Sequence, residues 1–130
     1  MSIPGLDHWL ASAPGRHILA WEQGQVDHIV SDIFGYHALQ IGLPQADFLR
    51  ASRIPLRQRA GTLDGADFLC HYAALPVAAN SIDLVVMPHV FEFSDEPHQI
   101  LREVERILIP EGQVVIVGFN PLSLWGLKRR

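Results

Sequence analysis

A histidine and a glutamate, two side-chain types that can transfer protons, follow the clearest strand predicted from this sequence. The strand is "SIDLVVM", residues 81–87, and His89 and Glu92 come just after it. An imidazole with a positioned carboxylate nearby is a common arrangement in general acid–base catalysis. The alternative is that His89 only lines a crevice, so the sequence leaves the catalytic residue unassigned.

A second chemical feature is the turn that follows "HALQI", residues 37–41. This stretch reads as a buried strand, and Gly42 comes directly after it. A strand that breaks into a glycine turn and then a short helix is where many α/β proteins hold a nucleotide. Such turns normally carry more than one glycine, whereas this one continues with Pro44 and Ala46. The turn predicts a nucleotide-shaped crevice and leaves open whether a nucleotide still binds there.

Metal and disulfide chemistry are not predicted. The sequence holds 7 histidines and 1 cysteine, and these form no His-x-His, His-Glu-x-x-His or Cys-His cluster. Without such spacing a zinc-type site is not expected. The lone Cys70 excludes an internal disulfide and fits a reducing compartment. We therefore expect a cytoplasmic protein without a metal site.

Composition narrows the class of protein. The chain has 130 residues, 48% of them hydrophobic and 18% charged, which is typical of one globular domain with a core. A net charge of −4 and a pI near 5.9 argue against a nucleic-acid-binding protein, and the basic tip at residues 128–130 reads as a solvated tail. No apolar run approaches the ~20 residues of a membrane span, and the first residues lack the features of a signal peptide.

Apolar periodicity predicts the elements that would position these residues. We expect a helix over 17–34 stopped by Gly35, strands at 37–41, 52–59, 66–71, 81–87 and 113–119, and helices at 45–50 and 94–108. Pro55 would demote the second strand to an edge or irregular position. A strand, helix and strand in succession make a right-handed crossover, which predicts an α/β fold with a mostly parallel sheet.

Several short motifs in the second half of the chain carry a family resemblance. They are Leu75-Pro76, Ile82-Asp83, His89 with Glu92, Glu103-x-x-Arg106, and Leu108-x-Pro110-x-Gly112. Together they resemble the class I S-adenosylmethionine-dependent methyltransferases. Within that family "FGYHALQIG" and "GFNPLSLWGL" are most similar to a little-characterised bacterial branch. Glu103 and Arg106, three residues apart, read as a helix-surface pair rather than a catalytic one.

The resemblance implies a Rossmann-like class I methyltransferase core that uses S-adenosylmethionine and transfers its methyl group to an unknown acceptor, a small molecule or a macromolecule. A helical lead at 1–35, a sheet core at 36–121 and a tail at 122–130 would make up one domain. The family's last two strands have no sequence to form them here. The outer edge of the fifth strand would then be unpaired, so we expect either a homodimer that covers it or a fragment of a longer protein.

The resemblance also implies a cofactor rim, although this sequence departs from the family at its charged positions. Gln40 stands where the family has an acid, and Gln58 and Arg59 occupy the second strand's end in place of a ribose-binding acid. His71 replaces an Asp that would accept the adenine amino group, and Tyr72 could stack on adenine. The whole implied rim consists of Gln40, Gly42, Leu43, His71, Tyr72, Met87, Pro88 and His89.

Two main functional hypotheses follow. One is a methyltransferase of unknown acceptor, or its degenerate descendant with weak cofactor affinity. The alternative is a non-catalytic member that uses the fold as a binding or assembly module. A nicotinamide-dependent dehydrogenase is less well supported, because no Gly-x-Gly-x-x-Gly follows a strand.

Overall fold

The protein forms one mixed sheet with helices on its two faces. The computed structural model describes residues 12–62, 65–118 and 125–128. The elements are α1 (Ala13–Val30), β1 (His37–Ile41), β2 (Leu56–Gly61), β3 (Phe68–Leu69), β4 (Ile82–Pro88), a 3-10 turn (Phe91–Phe93), α2 (Pro97–Ile107), β5 (Leu108–Val117) and β6 (Trp125–Lys128). Among the described residues, no helix is both long and apolar enough to cross a membrane.

The strands lie in the order β3-β2-β1-β4-β5-β6. All neighbouring pairs are parallel except β5 and β6, which are antiparallel. The chain runs outward from β1 to β3 on one side and then crosses to β4 on the other, so β1 and β4 flank the point where the strand order reverses. The expected α/β class with a mostly parallel sheet is confirmed.

Alternate residues of the central strands supply two separate cores. Leu84 and Val86 of β4 face α1, where they join Val26 and Val30. Val85 and Met87 of the same strand face α2 and pack in a second cluster with helix residues such as Val104. A strand covered on both faces needs an almost continuous apolar run, which explains the composition of β4.

The first helix begins earlier and ends earlier than periodicity predicts. Ser12 caps it by accepting the Gly15 N–H, with a proline in the first turn, and the helix ends at Val30. Gly35 therefore lies beyond the helix, where it has another task. Its φ is +154°, and a Cβ there would lie 2.3 Å from Cγ of Asp83, whose carboxylate accepts the N–H groups of Tyr36 and His37. Gly35 lets the chain pass Asp83 at the start of β1.

Two predictions between β1 and β3 are wrong. Residues 45–50 form turns and not a short helix, so no helix covers the sheet between β1 and β2. The second strand lies between β1 and β3 and is not an edge strand, because Pro55 precedes its first residue, Leu56, and removes no hydrogen bond from the ladder. The third strand is shorter than expected, with only Phe68 and Leu69 paired.

The outer edge of β5 also differs from the expectation. Residues 125–128 pair with Gln113–Ile116 in antiparallel register. One strand therefore does follow β5, and the prediction that nothing in this chain would pair with that edge is wrong. At these four positions β5 is already paired, so the reason to expect a homodimer through its outer edge no longer holds there.

Candidate functional site

The candidate site lies at the carboxyl ends of β1 and β4, next to the reversal in strand order, where open α/β sheets bind ligands. Gly42 ends β1 there with a φ of +95°. A Cβ at this position would lie 2.9 Å from Cγ2 of Val90 and 3.3 Å from the carbonyl oxygen of Pro88. A glycine is thus required because the loops after β1 and β4 are in close contact.

The Gln40 side chain holds the loop after β1 together. Gln40 is fully buried, and its amide nitrogen lies 3.0 Å, 3.0 Å and 2.8 Å from the carbonyl oxygens of Gly42, Leu43 and Ala46. Its amide oxygen accepts the Phe48 N–H at 2.9 Å. These contacts engage both ends of the amide, and the turns they stabilise occupy the place of the expected short helix.

This loop rests against the end of β2. Arg59 donates from Nη1 to the Pro44 carbonyl oxygen at 2.7 Å, and the Gly42 N–H donates to Ala60 at 3.0 Å. Pro44 also packs against Gly61, since Cγ of Pro44 lies 2.8 Å from where a Cβ on that glycine would be. The proline that replaces a family glycine is therefore part of the packing between two strand ends.

The second strand's end is not where the sequence placed it. β2 continues to Gly61, so Gln58 and Arg59 lie inside the strand and not at its carboxyl end. Arg59 donates its backbone N–H to the Asp67 carboxylate at 2.7 Å. The structure thus corrects the expectation that Gln58 and Arg59 stand at the carboxyl end of the second strand.

His71 and Tyr72 follow β3 but differ in exposure. The His71 side chain is 73% exposed; its Nδ1 accepts the Ala73 N–H at 3.2 Å, and its Nε2 lies 3.9 Å from Glu96. Tyr72 is buried in the α2-side cluster, and burial raises the pKa of its hydroxyl to about 12 against the opposing effect of hydrogen bonds with Thr62. Of these two side chains, only His71 is exposed to a ligand. The Tyr72 side chain is buried, which does not match the expectation that it stacks on adenine.

His89 is buried between two carboxylates. Its backbone φ is +56°, its Nε2 lies 2.9 Å from Glu22 and its Nδ1 lies 3.3 Å from Glu92. Burial lowers the pKa of His89, but the hydrogen bond and charge of Glu22, supported by Glu92, outweigh it and the net pKa is raised. The expected pairing of His89 with Glu92 is present, and its side chain faces the protein interior.

Glu22 is the residue of this cluster that sequence reasoning missed. It is 4% exposed and lies on the buried face of α1 together with Val26 and Val30. Glu22, Val26 and Val30 are four residues apart along the chain, so they lie on one face of the helix. This spacing could have shown from the sequence that a carboxylate stands in the apolar stripe of α1. A charge there needs a buried partner, and His89 is that partner.

Glu103 and Arg106 have a different task from a simple surface pair. Arg106 Nε donates to Glu103 at 2.8 Å, Glu103 accepts the Leu75 N–H at 2.8 Å, and Arg106 Nη2 donates to the Leu75 carbonyl at 3.0 Å. The hydrogen bond from Arg106 lowers the pKa of Glu103. The pair thus holds the Leu75-Pro76 turn against α2.

The geometry agrees with a family comparison. The family model described as a methyltransferase domain matches residues 44–116, more than half of the 130-residue chain. This chain belongs to the methyltransferase domain family. The match runs from the loop after β1 into β5, so it contains β2, β3, β4 and α2.

Individual relatives of this methyltransferase-family chain support the same fold. The uncharacterized protein YafS of Escherichia coli (strain K12) is 30% identical, over 81% of this chain and 45% of its own length. A Haloferax volcanii methyltransferase structure, in complex with the Trm112 methyltransferase activator, has a TM-score of 0.64 and 20% identity, covering 89% of this chain and 61% of that one. A SAM-dependent methyltransferase from Aquifex aeolicus has a TM-score of 0.63 and 16% identity, covering 89% and 72%. The chain spans less than half the length of the curated relative.

The residues of this methyltransferase-family chain fit S-adenosylmethionine only in part. Gln40 presents no carboxylate and its amide is engaged in its own loop, whereas near the end of β2 the Asp67 carboxylate accepts the backbone N–H of Arg59. No helix directly follows β1, so no helix N-terminus lies behind Gly42 to favour a carboxylate group. Gly42 and the exposed His71 remain compatible with a ligand. The grip on the cofactor's ammonium does not fit, because position 40 holds an amide that is already hydrogen-bonded, and the eight predicted rim residues stay a prediction.

Most of that rim is buried, and its members divide between the two faces of the sheet, with Leu43 in the α1-side cluster and Tyr72 and Met87 in the α2-side cluster. Seven members are buried by neighbouring residues; they are Gln40, Gly42, Leu43, Tyr72, Met87, Pro88 and His89. His71 is exposed and lies after the short edge strand β3. Within the described part of the chain, no group of three or more His, Cys, Asp or Glu side chains has the arrangement of a metal site.

Proposed function

We propose that this chain is the sheet core of an S-adenosylmethionine-dependent methyltransferase that acts on an unknown acceptor. The observation that carries the proposal is the reversal of strand order between β1 and β4, in a chain of the methyltransferase domain family. The acceptor is a small molecule or a macromolecule, and we infer a cytoplasmic location from the single Cys70.

Cofactor affinity in this chain is weak under the proposal. The carboxylates that would pair with the ammonium and ribose are replaced, and the Gln40 amide is already hydrogen-bonded. A hydrogen bond to a charged group contributes ~1.5–3 kcal/mol, so losing two raises the Kd by about a hundredfold or more. His71 is the exposed side chain that supports recognition of adenine.

Calorimetric titration of the full chain with S-adenosylmethionine and with S-adenosylhomocysteine tests the proposal. We expect weak saturable binding of both, and a measurable change in Kd for His71→Asp. His98→Asp, at an exposed position of α2, is the matched control and leaves the Kd unchanged. An affinity that His71→Asp does not alter would remove His71 from the site.

The second candidate function is a non-catalytic binding or assembly module, and the saturated Gln40 amide specifically favours it. A loop whose polar groups satisfy one another has fewer groups to offer a ligand. Failure of a folded chain to bind either nucleoside at millimolar concentration would support this function over the first. The Haloferax relative that is complexed with an activator makes a protein partner a reasonable form for such a module.

A further inference from the structure

Among the described residues, three polar contacts join α1 to the loops at the carboxyl ends of the strands, beside the apolar cluster that α1 shares with Leu43 and Ala46. Gln23 donates to the Asp47 carbonyl at 3.2 Å, and Asp27 forms an ion pair with Arg50 at 2.9 Å. Both lie at the surface. The third contact, from Glu22 to His89, is buried and joins the helix to the residue that follows β4.

The buried contact is matched to one protonation state of His89. Both ring nitrogens face carboxylate oxygens, at 2.9 Å for Glu22 and 3.3 Å for Glu92. A neutral imidazole has a single N–H and would turn a lone pair toward one of the carboxylates. Only the imidazolium donates to both, and its positive charge offsets the negative charges around it.

Hydrogen-bonding groups from three elements face His89. Among the described residues, Glu22 faces it from α1 and Glu92 faces it from the 3-10 turn, while β5 contributes the Val117 carbonyl, which accepts the His89 N–H at 2.8 Å. The His89 side chain has no exposed surface, and Glu22 is 4% exposed. Solvent therefore does not replace the Glu22 contact while α1 is in place, whereas the Glu92 side chain is 29% exposed.

We propose that Glu22, His89 and Glu92 form a proton-dependent clamp that holds α1 over the strand ends, and that loss of the His89 proton releases the helix. The helix shares its core cluster with Leu43 and Ala46 of the loop after β1. Release exposes that loop and the neighbouring end of β4. That this opening admits a cofactor rests on the proposed function, whereas the clamp itself does not.

The direction of the pH effect follows from linkage. Docking of α1 adds the Glu22 contact and so raises the pKa of His89, whereas Glu92 lies on the same segment as His89 in both forms. Docking is therefore strongest below the His89 pKa of the open form and is lost as the pH rises through the raised pKa of the docked form. Between the two values the docking equilibrium weakens about tenfold for each pH unit. Alkaline conditions therefore favour the open form.

An NMR titration of the His89 ring in the full chain, without any added nucleotide, tests the clamp first. We expect a pKa above 6.5. A pKa at or below this value would overturn the proposal, whatever the behaviour of variants.

Hydrogen exchange of the α1 amides near Val26, corrected for the intrinsic pH dependence, tests the release. In the wild type we expect protection to fall, by at most about tenfold per pH unit, as the pH rises above the His89 pKa of the open form, until it levels off above the pKa of the docked form. Glu22→Gln keeps a hydrogen-bond acceptor but removes the charge, so it flattens this profile. Asp27→Asn removes a surface tether of the same helix and lowers protection equally at every pH.

Constant wild-type protection across this range, or an unchanged profile in Glu22→Gln, would refute the clamp. Because both measurements use the chain alone, a failure to bind S-adenosylmethionine would leave them unaffected. A failed clamp would likewise leave the calorimetric result standing.

Discussion

At the scale of single residues, the side chains that distinguish this chain from its family are used to hold its own backbone. Gln40 is the clearest case, because its amide donates to carbonyl oxygens of its own loop and accepts the Phe48 N–H. A carboxylate in its place could accept but could not donate. The residue type therefore decides whether the loop after β1 closes on itself or turns its polar groups to a ligand.

We expect Gln40→Glu to lower the free energy of unfolding by about 3 kcal/mol or more at pH 7. The change leaves buried carbonyl oxygens without a donor and brings a negative charge against them. Urea denaturation at pH 7 and pH 5 measures the effect, which should shrink at the lower pH as the new carboxyl gains a proton. Gln58→Glu at an exposed position of β2 is the control, with a change within about 0.5 kcal/mol. Equal losses in both variants would contradict this account of Gln40.

Gly35→Ala and Gly24→Ala should change stability in opposite directions. At position 35 the φ of +154° is unfavourable for alanine, and its methyl group would collide with Asp83. At position 24, inside α1, nothing lies within 4 Å of the new methyl group. Thermal unfolding should show a lower Tm for the first variant, and for the second a gain of about 0.5–1 kcal/mol from higher helix propensity. A Gly35→Ala variant as stable as the wild type would show that Asp83 moves freely.

At the scale of elements, α2 is fixed to the sheet by polar contacts as well as by its apolar face. Glu103 and Arg106 together bind the N–H and C=O of Leu75, just before Pro76. A turn before a proline has few regular backbone partners, so side chains of the neighbouring helix satisfy it. The Glu-x-x-Arg motif therefore positions the chain after β3.

Glu103→Gln should cost about 1–2 kcal/mol of stability at pH 7, since the charge-assisted contacts become neutral. The pKa of Glu103 is lowered in the folded chain, so its contribution is present above its ordinary value of 4.5 and is lost as the pH falls through the lower folded value. Denaturation of wild type and variant from pH 7 to pH 3 should show the difference shrinking at the acid end. Glu105→Gln on the exposed face of α2 should show neither effect.

At the scale of the whole molecule, the edge of the sheet beyond β5 is covered by the chain itself. Residues 125–128 occupy the hydrogen-bonding positions of Gln113–Ile116. An apolar strand with a free edge pairs readily with a second copy, and an antiparallel partner removes that tendency. The same four residues therefore bear on oligomeric state rather than on the site.

Deleting residues 125–130 should uncover the outer edge of β5 and cause the chain to self-associate. The physical reason is the newly exposed row of N–H and C=O groups along β5. Light scattering over a range of concentrations measures the molar mass, and we expect concentration-dependent growth only for the deletion. Deleting residues 129–130 alone, outside the strand, is the control. A deletion variant that stays at its monomer mass would show that the edge is harmless without β6.

The sequence by itself determined the α/β class and the bounds of β1 and β4 to within a residue. These features follow from local periodicity and from the chain order of strand, helix and strand, so they need no knowledge of contacts between distant residues. The family could also be identified from the sequence, because the motifs of the family are short and local.

Only the tertiary structure decided where the polar side chains point. The fold brings Glu22 within hydrogen-bonding distance of His89 across 67 positions of sequence, and Asp83 to the N–H of Tyr36 across 47. Such pairs depend on how a helix and a loop cross the sheet, which no local pattern specifies. The same applies to the missing helix at 45–50, where the buried Gln40 amide competes for the backbone, and to β6, which forms because β5 offers it a free edge.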